Sequence, residues 1–159
     1  MAEFRTESEG HIGARFEPEE VRVLTGLVHE MAGVLETTHD APDPITERLF
    51  PAAYDDPEDQ RAYEELIGDQ LKQQKLAALA RVRASLPNTD AADVILDEDA
   101  TEAWLTVLND IRLAIGTRLD VTEEVMQREL DPDHPDGPAL AVLHWLGWVQ
   151  ESFLKELGG

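Results

Sequence analysis

The stretch DEDATEAWLTVLNDIRLAIGTRL, residues 97–119, decides how this chain folds. Its apolar residues fall at Trp104, Leu105, Leu108, Ile111, Ile115 and Leu119. Steps of three and four place them on one stripe of an α-helix. Val107, Leu113 and Ala114 widen the stripe, which predicts a central helix buried on most sides. Asn109, Asp110, Arg112, Thr117 and Arg118 stand out against that background. A charge near buried surface is costly unless it is paired and hydrogen-bonded. Two readings follow for this polar set. One is a structural ion pair that fixes how neighbouring elements dock, with Arg48, Arg112 or Arg118 as the partner of Asp110. The other is a polar site open to a ligand or partner.

Just upstream, Val94-Ile95-Leu96 suits a short strand. Before it, Asp56-Pro57-Glu58-Asp59 combines a cap, a proline and acids, and opens a helix to about Leu86. Tyr63, Ile67, Leu71, Ala78 and Val82 form its stripe. Lys72-Gln73-Gln74-Lys75 interrupts that stripe, with Gly68 a turn earlier, so the helix either kinks there or exposes its middle. Lys72, Lys75, Arg81 and Arg83 form a basic cluster that reads as complementing the helix C-terminus or, alternatively, as a binding patch. Asp43 and Pro44 suit the start of a short helix, and Leu49, Phe50 and Tyr54 should pin that region to the core. Pro18, Glu19 and Glu20 open another helix, to about Thr37, with Leu24, Leu27, Val28, Met31, Val34 and Leu35 buried. His29-Glu30 begins like a zinc-protease helix, but Gly33 stands where the second His is needed. At the N-terminus, FRTESEGHIGARF (residues 4–16) alternates on both sides of a turn and reads as a β-hairpin.

Downstream, Thr122-Glu123-Glu124 can cap a short helix to about Leu130. The acidic turn that follows, residues 131–137, lacks the alternating ligands and sixth-position Gly of a calcium loop. A last helix runs from Pro138 to about Leu157, with Ala139, Val142, Leu143, Leu146, Val149, Phe153 and Leu157 inward. Trp145 and Trp148 lie off that stripe. They either cover the outer edge of the core or form an exposed patch, which makes them the candidate partner interface. His144 has no second ligand nearby in sequence and reads as solvent-facing or capped.

Composition narrows the function. A chain of 159 residues suits one domain, and 42% hydrophobic content suits a packed core. No apolar run approaches the ~18 residues that span a bilayer. The N-terminus lacks the pattern of a secretory signal, which places the protein in the cytoplasm. With no cysteine, disulfides, thiol redox chemistry and thiolate metal sites are excluded. A net charge of −21 repels phosphate backbones, so the expected partner is a basic protein surface and not nucleic acid or membrane. A homodimer stays open.

Three stretches together resemble a known family: RLFPAAY (residues 48–54), WLTVLNDIRLAIGTRL (104–119) and WLGWVQES (145–152). The family consists of small acidic actinobacterial proteins, long catalogued as a domain of unknown function and now named oxidative-stress transcriptional regulators. The resemblance spans nearly the whole chain. It implies a non-enzymatic regulator acting through a stress-response sigma factor. In part of the family a cysteine pair senses oxidation. This sequence has no cysteine, so that switch is not carried over. Members are commonly encoded beside the Clp protease adaptor, which implies the alternative of an accessory role in Clp-dependent proteolysis. A third reading is an enzyme with an unrecognised polar pocket, for which no nucleophile–base pair, phosphate loop or metal spacing speaks.

The expectation is therefore a mainly α fold, a single-domain bundle of about four main helices with short additional ones. A small N-terminal β-hairpin (4–16) precedes a helical body (18–157). No catalytic, cofactor or metal residues are assigned.

Overall fold

The computed structural model describes residues 2–8, 10–36, 45, 49–50, 52–86, 92–119 and 136–158. Chain order is β1 (Glu3–Thr6), β2 (Ile12–Phe16), α1 (Pro18–Glu36), α2 (Pro57–Tyr63), a π-helical turn (Glu64–Gly68), α3 (Asp69–Ser85), β3 (Ala92–Leu96), α4 (Glu98–Arg118) and α5 (Gly137–Gly158). Of the short helix expected after Asp43, Ile45 and the buried Leu49 are described and are helical; the rest of it, the helix after Thr122 and most of the acidic turn lie outside the described residues.

The hairpin forms with Phe4 opposite Ala14 and Thr6 opposite Ile12. Its turn uses Gly10 at φ 78°, a left-handed backbone that glycine adopts without penalty. β3 then adds to the other edge of β2, antiparallel, with Ala14 opposite Val94. Strand order is β1-β2-β3. Alternation puts Ile12, Ala14, Phe16, Val94 and Leu96 into the core. The outer face carries Arg5, Arg15, Asp93 and a 60% exposed Ile95. Arg5 crosses this face to donate to Asp93 Oδ1 at 2.7 Å and also pairs with Glu7. It crosses above Gly13, where a Cβ would stand 2.7 Å from the guanidinium carbon.

α4 is the central helix. Asp97 caps it, accepting from the Ala100 N–H at 2.8 Å. It packs against α3 and α5, and more lightly against α1 and β3. Thr101, Ala103, Trp104, Val107, Leu108, Asp110, Ile111 and Ala114 are all buried, a band too wide for one contact face. Trp104 is wholly buried. Its indole stacks on Phe16 at 5.5 Å, and Phe153 tilts against it at 5.7 Å. Phe4 closes this cluster edge-on to Phe16, Phe153 and Trp148. The sheet thus caps one end of the helical layer through aromatic contacts.

Two expectations change in the helices. The irregularity in the 57–85 rod is not at Lys72–Lys75 but one turn earlier, in the π turn that ends at Gly68. Lys72 and Lys75 are half-buried within regular helix. At the far end of α5, Leu157 is 51% exposed and so is not a core residue. The core stripe stops at Phe153, and beyond it Glu156 reaches the sheet as an acceptor for Thr6 Oγ1 at 2.7 Å. Among the described residues, no helix is long and apolar enough to cross a membrane.

Candidate functional site

Asp110 is 5% exposed, one of two buried polar residues among the described residues. Its partner is Lys75, whose Nζ donates to Oδ1 at 2.9 Å and to Oδ2 at 3.0 Å. The Phe50 ring centroid lies 5.8 Å from the same ammonium, within cation–π range. Burial pushes the Asp110 carboxyl above its ordinary range, and Lys75 pulls it back only in part. A groove of about 400 Å³ between α3 and α4 reaches Lys75, with Arg81 on one rim and Asp99 and Glu102 on the other.

Of the arginines expected beside Asp110, the two among the described residues, Arg112 and Arg118, do not pair with it. Asp110 faces α3, whereas Arg112 faces α5, because residues two apart on a helix point to different sides. Arg112 Nη1 donates to Gln150 Oε1 at 2.6 Å, and its guanidinium lies against Gly147, where a Cβ would be 3.3 Å from Nη2. A glycine inside α5 is thereby explained: it makes room for Arg112. Thr117 donates back to Leu113 O within its own helix. Asn109 and Arg118 are exposed. Arg48 lies outside the described residues. The polar set of α4 is therefore split between two interfaces and does not form one network around Asp110.

Lys75 carries a partial signal in the sequence, although which acid it meets depends on how the helices pack. It stands four residues after Leu71 and three before Ala78, on the apolar stripe itself. A lysine at a stripe position calls for a buried acid, and Asp110 is such an acid.

Trp145 and Trp148 cover the core edge and do not form an exposed patch. Trp148 meets Phe4 edge-on at 5.6 Å. Trp145 donates its indole N–H to Glu20 Oε2 at 3.0 Å. The same carboxylate takes the Ala2 N–H at 3.2 Å and, through Oε1, the Glu17 N–H at 3.0 Å. The last bond is the reach-back half of a capping box at the start of α1. Glu20 so ties the N-terminal strand, α1 and α5 together. His144, read as solvent-facing or capped, has a buried Nε2 with no hydrogen-bond partner among the described residues.

Beside Trp145 the N-terminal turns of α1 and α5 leave a groove of about 270 Å³. Val23, Ala141, Val142 and Trp145 form its apolar walls, and Glu19 and Glu20 its rim. Among the described residues, no group of three or more His, Asp or Glu stands close enough to hold a metal ion.

Comparison with known proteins places these features in context. A family model described as a domain of unknown function (DUF2017) matches residues 1–157. A Mycobacterium leprae (strain TN) protein, provisionally named oxidative stress regulator AosR, is 28% identical over 153 residues, covering 87% of this chain and 67% of its own length. No solved structure matches.

Proposed function

We propose, for a chain that belongs to the DUF2017 family, a non-enzymatic regulatory role in the cytoplasm, exerted by binding a basic surface on another protein. The partner class is a stress-response sigma factor, and the outcome is transcriptional control. The relative named as an oxidative stress regulator supports the regulatory part of this reading. The observation that carries the binding part is charge. The chain holds 34 acidic and 13 basic side chains, for a net −21. Several cations are already engaged within the fold: Lys75 with Asp110, Arg5 with Asp93 and Glu7, and Arg81 with Asp97 at 3.7 Å. The net charge supports an acidic exposed surface that would complement a basic face on a partner.

The test is direct titration of the host's stress-response sigma factors into the purified chain across a salt series. Exposed charge pairs are screened beyond ~8–10 Å at physiological ionic strength, so affinity should fall steeply as salt rises. Affinity that stays constant from low to high salt would overturn the electrostatic mechanism. Absence of binding to every sigma factor at low salt would overturn the partner class.

A further inference from the structure

We infer that the groove between α1 and α5 beside Trp145 is the docking point for a basic amphipathic segment of the partner. It would seat one arginine or lysine side chain, stem on the apolar walls and charged head at Glu19. This rests on the basic-partner reading above and adds to it the place where contact is made.

Four observations point there. The groove is small: about 270 Å³ lies below the roughly 300 Å³ at which pockets for drug-sized ligands begin, and so suits a side chain better than a free metabolite. Its walls are apolar and partly open, with Val23 at 37% exposure and Ala141 exposed. Its rim is acidic, and the two acids differ. Glu20 is already committed to three donors, whereas Glu19 is exposed and has no hydrogen bond or ion pair among the described residues. Lastly, Trp145 is held in place by Glu20, so its position is fixed before anything binds. Such preorganisation reduces the ordering cost of association.

The occupant's chemistry follows from these facts. A cationic side chain with an aliphatic stem can lie along apolar surface while its head stays near water and the acid. An indole beside it offers a cation–π contact. A second copy of this chain is disfavoured because it would bring another net −21 to the same acidic rim.

The experiment uses the full chain and two synthetic peptides of equal charge. One is an amphipathic helix of arginine and leucine, and the other is its scrambled sequence. Both are titrated by calorimetry at low salt against four variants. Ala141→Gln fills the groove without changing charge. Glu19→Gln removes the rim charge. Glu30→Gln removes an exposed acid three turns further along α1, about 16 Å away. Leu66→Gln alters an 81% exposed leucine on the π turn. All four positions are exposed, and thermal melts verify that each variant is folded.

Ala141→Gln and Glu19→Gln should each weaken the amphipathic peptide about tenfold, more than most interface positions cost when altered. Glu30→Gln and Leu66→Gln should leave it unchanged. If Glu19→Gln and Glu30→Gln weaken binding alike, or Ala141→Gln has no effect, the groove is not the docking point, and the basic-partner reading survives without it. If neither peptide binds, the basic-partner reading itself fails. Sedimentation without peptide supplies the remaining outcome: a dimer that Ala141→Gln breaks would give the groove to a second copy and overturn the inference.

Discussion

Replacing Lys75 with methionine is expected to destabilise this protein by ~3–5 kcal/mol, the usual cost of breaking a buried pair by removing one partner. For a chain of this size each kcal/mol moves the melting temperature by about 2–4 °C, so the drop should be easy to see by circular dichroism. The cause is Asp110, which is 5% exposed and would lose both of its hydrogen bonds. Its escape is to take up a proton, which limits the loss. Asp110→Ala should cost less. The Lys75 side chain is 19% exposed and borders the α3–α4 groove, so its stem can carry the charge toward water. Replacing both at once, Lys75→Met with Asp110→Leu, should recover most of the stability, since an apolar pair of similar volume often matches or exceeds a buried ion pair. An unchanged melting curve for Lys75→Met would show that Asp110 is solvated.

The same pair has a pH signature. The Asp110 carboxyl is held above the ordinary aspartate value of about 3.9 by burial. The folded state therefore binds this proton more tightly than the unfolded state. Its ionisation penalty applies at neutral pH and is lifted as pH falls through the raised value. Wild type should gain stability relative to Asp110→Asn on acidification from neutral pH toward that window. Chemical denaturation of both proteins at several pH values measures the difference, and a gap that stays constant with pH would contradict it.

Trp104→Ala should cost a similar ~3–5 kcal/mol by a different route, the loss of a large buried side chain and the cavity it leaves. Trp104 is fully buried and touches residues from two other elements, Phe16 of β2 and Phe153 of α5. The site cannot collapse easily, because strand, central helix and last helix all converge on it. Trp104→Phe should cost much less. It keeps most of the ring contacts and removes an indole N–H that has no acceptor among the described residues. If Trp104→Phe were as damaging as Trp104→Ala, the packing role assigned to this ring would be wrong.

Much of this protein was legible in local pattern. The 3.6-residue period marks α1, the 57–85 rod, α4 and α5, alternation marks the hairpin, and the short apolar run Val94-Ile95-Leu96 marks β3. The cap at Asp56 sets one helix start to the residue, since a side-chain oxygen there satisfies an otherwise orphaned N–H. The burial of Asp110 also followed from its neighbours Trp104, Leu108, Ile111 and Ala114. Periodicity, however, says which face of a helix is apolar and not which element will cover it. Choosing Lys75 over an arginine for Asp110 required knowing that α3 lies on that face of α4 while α5 lies on the other, taking Arg112 to Gln150 and Gly147. Trp145 and Trp148 look alike off the core stripe of α5, yet Glu20 on α1 holds one and Phe4 on β1 covers the other. Each of these contacts joins residues more than thirty apart in sequence. Local propensity carries no information about such pairs, because their energies appear only once packing has brought the distant elements together.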